Sequence, residues 1–242
     1  TILILSILTN LQSQNRWETI IGETEIDDFL FDKEISYDEG FILGNWKTDD
    51  RELIKTDKNG VELWRKTIMH SSSPLYFSKV LQTEDQLLLG GGKSNNPLIV
   101  SLNHCFDVNW CVEFINDDYE SGFIQDITIF NNQIIALTYL NPVDQNNRTD
   151  RVFLFSFDFE GNFLWKKVYA SRDNYPEMDF PYGNYLQNFG NYLIISGYCY
   201  YPFPNNPNVM GRRPLFIRID SLYNEEWVLP FGVDEDLIGL AG

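Results

Sequence analysis

Tryptophan recurs along this chain at a nearly regular distance. Five of the six tryptophans follow one another at intervals of 47, 46, 55 and 62 positions: Trp17, Trp64, Trp110, Trp165 and Trp227. A period of about 40 to 60 residues is typical of propeller blades and other stacked modules. The chain is therefore predicted to fold as an array of similar units.

A turn-type residue lies seven positions before each of the last four tryptophans, and these residues are Asp57, Asn103, Asp158 and Asp220. Asp and Asn open tight turns by accepting hydrogen bonds from nearby backbone, and glycine closes them by adopting a positive φ. Gly60 and Gly161 hold the closing position in two repeats, whereas Phe106 and Tyr223 replace glycine in the other two. Each repeat is predicted to contain a hairpin, with another turn geometry where glycine is missing.

Two more strands are predicted before each hairpin. An apolar run such as residues 87–90 follows a turn, and a further strand-like segment such as residues 78–82 precedes it. The chain has only three alanines while 15% of its residues are aromatic, a composition that favours strands over helices. The predicted fold class is all-β, a β-propeller of four-stranded antiparallel blades. Four blades are visible, and we expect them to form part of a larger closed ring.

The hairpin pattern is apolar-x-apolar-x-Asp-x-x-Gly-x-x-x-Trp followed by Lys or Arg, as in residues 53–65 and 153–166. It resembles the blade repeats of secreted bacterial β-propellers, including the pyrroloquinoline-quinone-type superfamily, over residues 15–231. The resemblance implies a fold and an exported bacterial repeat protein. The quinone-enzyme motif carries one more residue, a Thr, between Asp and Gly, so no quinone site is implied.

The predicted boundaries follow the repeat. Residues 1–14 are expected to be a truncated signal peptide, 15–22 a closing strand, and 232–242 the start of a further blade. The four blades are predicted over residues 27–69, 75–115, 122–169 and 178–231. A closing strand that completes a blade from the far end of the chain would leave no open sheet edge.

The charge of the chain excludes some partners. Acidic side chains outnumber basic ones by 35 to 18, which gives a formal net charge of −17. Such a field repels phosphate backbones, so nucleic acid is not an expected partner. The apolar run over residues 2–8 is too short to span a bilayer and fits a secretion signal, with a buried first strand as the alternative. We expect a secreted or cell-surface protein without membrane insertion.

The three cysteines are not expected to form a disulfide. Cys105 and Cys111 fall in one predicted hairpin, where six extended residues span about 20 Å, beyond the limit of roughly 7 Å between bridged Cα atoms. Cys199 belongs to another repeat. We therefore predict three free thiols.

Two long loops are predicted on the face that carries the blade-to-blade connections, over residues 139–150 and 198–214. The second combines aromatic rings with arginines and prolines, a set that suits a sugar or peptide surface. The candidate ligand-binding residues are Tyr198, Tyr200, Tyr201, Arg212 and Arg213. The alternative is that these rings pack on the blade to which the loop belongs.

Acidic residues gather in the blade-to-blade connections, where their oxygens would suit Ca²⁺. The candidate ligands are Asp27, Asp117, Asp118, Asp234 and Asp236. Solvated charge at the rim is the alternative, because no spacing matches a defined calcium loop. No other cofactor is predicted.

The two histidines, His70 and His104, are expected on opposite faces of the propeller, so no catalytic residue is assigned.

The sequence favours a non-enzymatic binding or adhesion scaffold that presents a loop-rich, acidic face to a carbohydrate, peptide or protein. One alternative is a propeller enzyme, a hydrolase or lyase acting on extracellular polymers with key residues partly outside this chain. A spacer without a ligand is the third. The fold alone does not separate them, because propellers carry binding modules and unrelated enzymes alike.

Overall fold

The computed structural model describes residues 3–5, 19–21, 28–47, 50–70, 75–114, 119–142, 151–203 and 206–232. Within these ranges the regular elements are eighteen β-strands. None of the described segments forms a helix long and apolar enough to cross a membrane. The composition rich in aromatic and branched residues explains this preference for strands.

Sixteen strands form four antiparallel sheets of four, and in every sheet neighbouring strands are consecutive in the chain. The predicted fold class is confirmed: each sheet is a four-stranded meander, a β-propeller blade. Blade 1 contains β3 (Asp28–Ile35), β4 (Phe41–Lys47), β5 (Asp50–Thr56) and β6 (Glu62–His70). Blade 2 contains β7 (Leu75–Gln82), β8 (Leu87–Lys93), β9 (Asn96–Leu102) and β10 (Val108–Glu113).

Blade 3 contains β11 (Tyr119–Phe130), β12 (Gln133–Pro142), β13 (Val152–Phe157) and β14 (Phe163–Tyr169). Blade 4 contains β15 (Asp179–Asn188), β16 (Leu193–Phe203), β17 (Asn206–Ile219) and β18 (Glu225–Pro230). The two other strands, β1 (Leu3–Leu5) and β2 (Thr19–Ile21), pair with each other in antiparallel fashion. The predicted signal peptide, closing strand and further blade fall mostly outside the described residues and stay predictions.

Apolar side chains fill the spaces between successive blades. One cluster joins Leu53 of blade 1 to Phe77 of blade 2, and a second joins Leu88 of blade 2 to Phe155 of blade 3. A third cluster joins blade 3 to blade 4. The first strands also contact one another from blade to blade, so they form the inner edge of the array.

The polar residue that opens each hairpin turn acts as predicted. The Asp57 carboxylate accepts hydrogen bonds from the backbone N–H groups of Asn59 and Val61, both at 2.8 Å. Asn103, Asp158 and Asp220 make the same pair of bonds in the other three blades. These hydrogen bonds lower the pKa of Asp57, most strongly through the Val61 N–H, because they favour the charged carboxylate.

The prediction that the two turns without glycine adopt a different backbone geometry is wrong. Phe106 and Tyr223 adopt φ angles of 61° and 63°, in the same left-handed region as Gly60 and Gly161 at 81° and 85°. This conformation costs a residue with a Cβ about 1–2 kcal/mol. All four turns therefore share one backbone shape, and contacts of the two aromatic rings offset the strain in two of them.

Those contacts come from the repeated tryptophans, which pack against the next blade as structural residues. Trp165 in β14 lies with its ring centroid 4.4 Å from that of Tyr223 in the turn of blade 4. Trp110 occupies the space over Gly161 and donates from Nε1 to the Phe159 carbonyl at 3.0 Å. Trp64 contacts Phe106 in the same way. Every described junction between blades thus joins a tryptophan to the left-handed turn position.

The cysteines are free, as predicted. Cys105 and Cys111 are exposed, and Cys199 is buried in the core between blades 3 and 4.

The prediction of a long loop over residues 198–214 is largely wrong, because β16 continues to Phe203 and β17 begins at Asn206. The candidate residues of this segment therefore lie on two paired strands, which fixes the sheet face on which each side chain stands.

Candidate functional site

Aromatic residues occupy the same register position near the start of the first strand in every blade. They pair across to the second strand as Phe29 with Trp46, Tyr76 with Gly92, Phe123 with Tyr139, and Tyr182 with Tyr198. This position lies at the end of the blades that carries the blade-to-blade connections. The sequence singled out Tyr198 from these pairs but did not relate it to the aromatic residues of the other blades.

Five of these side chains form a continuous aromatic row across blades 2, 3 and 4: Tyr76, Phe123, Tyr139, Tyr182 and Tyr198. Successive ring centroids lie 5.6, 5.9, 4.6 and 5.0 Å apart, within the range of favourable aromatic pairs. Gly92 leaves space at its position, since a Cβ there would lie 2.8 Å from the Tyr76 hydroxyl. The row fixes how the loop-side ends of three blades meet.

Tyr182 anchors the middle of the row. Gln125 in β11 forms a hydrogen bond with the Tyr182 hydroxyl, and Tyr182 stacks on Tyr198 with an interplanar angle of 17°. Burial raises the pKa of Tyr182 to about 12, because the phenolate would lose its hydration. Tyr182 is therefore a neutral hydroxyl group at any physiological pH.

The five predicted ligand residues divide between two faces of the β16–β17 hairpin. Neighbouring side chains on a strand point to opposite faces. Cys199 and Tyr201 pack toward the core shared with blade 3, and Arg213 pairs in register with Cys199. The Tyr201 hydroxyl donates to Glu177 at 2.9 Å, and the Arg213 guanidinium lies 4.7 Å from the Phe203 ring centroid. Arg213 thus contacts its own blade, which was the stated alternative, and Tyr201 contacts Glu177 in the connection between blades 3 and 4.

Tyr198, Tyr200 and Arg212 lie on the opposite face and come together. The Arg212 guanidinium stands 3.8 Å from the Tyr198 ring centroid, a cation–π distance. Tyr200 meets Tyr198 at a centroid distance of 6.5 Å in a T-shaped arrangement. Arg212 is exposed to solvent, and 37% of the Tyr200 surface is exposed.

Phe180 extends this surface and was missed by the sequence analysis. Its ring meets Tyr200 at 6.3 Å, and 46% of its surface is exposed. Phe180 has a φ of 45°, a strained conformation for a residue with a Cβ. The buried Arg151 stacks against it at 4.7 Å and donates to the Tyr139 hydroxyl at 2.6 Å. We call Phe180, Tyr198, Tyr200 and Arg212 the aromatic patch.

A partly buried charge cluster lies on the first strands below the row. The Lys79 ammonium stands 3.3 Å from the Asp32 carboxylate and 3.7 Å from that of Asp126. Asp32 accepts from the Val80 N–H of the next blade, and Asp126 from the Leu186 N–H, each at 2.7 Å. Each residue of the cluster follows a β-bulge in its strand. The repeated bulge turns these side chains toward the neighbouring blade.

Burial and the neighbouring charges oppose each other in setting the pKa values of this cluster. It raises the pKa of Asp126, and the Leu186 N–H and the Lys79 ammonium offset only part of that rise. Burial also opposes the charge on Lys79, but Asp126, Asp32 and Glu34 together outweigh it and raise the pKa of Lys79. The three groups therefore form a structural ion network that joins blades 1, 2 and 3.

All five predicted calcium ligands lie outside the described residues: Asp27, Asp117, Asp118, Asp234 and Asp236. Across the part of the chain that the structure describes, no group of three or more His, Cys, Asp or Glu residues could hold a metal ion. His104 is exposed in the 3–4 turn of blade 2. The calcium site stays a prediction.

No protein-family model and no curated protein matches the sequence. A solved structure of a protein from Lactobacillus plantarum is similar at 9% identity and a TM-score of 0.46, covering 81% of this chain and 60% of that one. The CNH domain of AfRom2 is similar at 11% identity and a TM-score of 0.44, covering 90% of this chain and 71% of that domain. The chain thus spans less than two thirds of the first structure.

Proposed function

We propose that this chain is an extracellular binding scaffold and that the aromatic patch contacts a carbohydrate ligand. The observation that carries the proposal is the exposure of Phe180 and Tyr200 beside an exposed arginine. Exposed aromatic faces with a nearby hydrogen-bond donor are the usual elements of a binding surface. A sugar ring would stack on the aromatic faces, and the Arg212 guanidinium would donate to its hydroxyl oxygens.

Preorganisation supports this use of the patch. Tyr198 is held from behind by Tyr182, and Phe180 is held by the buried Arg151. Rings already fixed in place lose little side-chain entropy when a ligand binds. The strained φ of Phe180 is also a feature that concentrates at functional sites.

The β16–β17 hairpin supplies its own matched controls. Arg212 and Arg213 are adjacent and chemically identical, but they stand on opposite faces, as do Tyr200 and Tyr201. The full chain would be screened on a glycan array with and without Ca²⁺, and the affinity for the best glycan measured by calorimetry. Arg212→Gln and Tyr200→Ala should each weaken binding by about tenfold, the loss of one good contact.

Arg213→Gln and Tyr201→Phe should leave the affinity within about twofold, since their side chains face blade 3. Equal losses from Arg212→Gln and Arg213→Gln would exclude the aromatic patch as the binding surface. An array without a saturable glycan would reject the carbohydrate and redirect the proposal to a protein partner. A requirement for Ca²⁺ would support the predicted acidic ligands.

A further inference from the structure

A cleft of about 230 Å³ opens between blades 2 and 3, away from the aromatic patch. Aromatic and aliphatic walls come from Phe114, Tyr119, Leu140, Phe155 and Phe163, and polar groups come from Asn95, Asn96, Ser121 and Lys166. Ligand pockets usually enclose roughly 300 to 1,000 Å³, so this cleft would hold a single ring rather than a chain of sugars.

The walls of the cleft are built by contacts between the blades. The Gly122 N–H of blade 3 donates to the Asn95 carbonyl of blade 2 at 2.6 Å. Phe114 stacks on Phe155 at a centroid distance of 4.9 Å and an interplanar angle of 10°. Leu140 is buried, whereas 57% of the Phe163 surface is exposed at the edge. The cleft therefore offers one exposed aromatic side chain, Phe163, above a fixed apolar floor.

Lys166 gives the cleft its charge. Its ammonium lies 5.5 and 5.9 Å from the ring centroids of Phe153 and Phe155, and no carboxylate in the described part of the chain lies within ion-pair distance of it. Among the described residues, Glu113 at this end of blade 2 already pairs with Lys93 at 3.1 Å and accepts from Asn96 at 2.8 Å. Lys166 is therefore an exposed positive charge with no carboxylate partner among the described residues, in a protein of net charge −17.

We propose that this cleft binds a six-membered ring that carries a carboxylate, such as a uronic acid residue. The ring would lie against Phe163, and the carboxylate would accept a charge-assisted hydrogen bond from Lys166. Asn95 and Ser121 would bind the remaining polar groups of the ligand. The negative field of the whole protein does not prevent this, because physiological salt screens charges beyond about 8 Å. The site is separate from the aromatic patch, so either proposal can fail alone.

The test is a titration of the full chain with sodium glucuronate, followed by NMR chemical shifts, with glucose and benzoate in parallel. Glucuronate should bind saturably and about tenfold more tightly than glucose, as expected for one charge-assisted contact. Saturable binding of benzoate instead would support the same chemistry with an aromatic ring. Failure of both carboxylates to saturate the protein would overturn the proposal.

Two neighbouring lysines provide the variant and its control. Lys166→Gln should weaken glucuronate binding by about tenfold, whereas Lys167→Gln should change it less than about twofold. Lys167 is also exposed, but its ammonium binds the Tyr223 carbonyl of blade 4. Phe163→Leu should weaken the binding of both ring ligands. Equal effects of the two lysine variants would show general charge attraction and overturn the assignment, while Arg212→Gln should have no effect.

Discussion

The ring of Trp64 lies 4.3 Å from the ring of Phe106, which belongs to the next blade and holds a φ of 61°. The contact pairs the most regular residue of the repeat with a strained turn position. It gives the first prediction, since ring packing and backbone strain act in opposite directions at Phe106.

Phe106→Ala should destabilise the protein more than Phe106→Gly. Both variants lose the contact with Trp64, worth about 1.5–3 kcal/mol for burial of a Phe side chain. Alanine also keeps the unfavourable φ, which glycine relieves by about 1 kcal/mol. Urea unfolding would measure the difference in the free energy of unfolding. Equal stability of the two variants would mean that the left-handed turn imposes no strain.

Gly161→Ala should be much more harmful than Gly190→Ala. Both glycines have φ angles near 80°, at 85° and 80°, so the backbone cost is matched. A Cβ at Gly161 would lie 2.7 Å from the Trp110 ring, whereas a Cβ at Gly190 meets nothing within 4 Å. Overpacking at Gly161 should add about 1–3 kcal/mol of destabilisation. A similar loss of thermal stability in the two variants would contradict the close packing of Trp110 against the turn at Gly161.

Asp126→Asn should make stability less dependent on pH in the acidic range. Burial raises the pKa of Asp126, so its contribution to stability is fully present below its unfolded pKa and is lost as pH rises through the folded pKa. Asparagine cannot ionise but can still accept from the Leu186 N–H. Unfolding curves from pH 3 to 7 should therefore show a smaller loss with rising pH in the variant. An identical pH profile in the variant and the parent protein would exclude a raised pKa of Asp126 in the folded state.

Tyr182→Phe should protect the protein against alkaline destabilisation. The pKa of Tyr182 is about 12 in the folded protein, above its usual value near 10. Its contribution is therefore present below pH 10 and lost as pH rises to about 12. Tyr175, also with a pKa of about 12, hydrogen-bonds Glu225 and serves as a second site for comparison.

Stability measured between pH 9 and 12 should fall less steeply in the Tyr182→Phe variant than in the parent protein. The variant should also be slightly less stable at neutral pH, because it loses the hydrogen bond with Gln125, worth about 1 kcal/mol. Parallel alkaline curves for the two proteins would show that Tyr182 titrates normally.

The candidate site was predictable only in part. The sequence identified Tyr198, Tyr200 and Arg212 by their composition, and the structure brings these three together. It could not separate them from Tyr201 and Arg213, because that requires knowing that both sides of the segment are paired strands. Nothing in the local sequence identifies Phe180 and Arg151 as part of the site, since their contact joins different blades.

The sequence by itself determined the blade, because each of its features acts within a few residues. The Asx turns opened by Asp57 and its equivalents depend on hydrogen bonds that span two to four positions, and the strands depend on composition. Only the tertiary structure decided how blades meet. The left-handed Phe106 and Tyr223, the ion network around Lys79 and the cleft beside Lys166 all depend on residues from a neighbouring blade. Packing against these distant partners overrides the local preference of each residue.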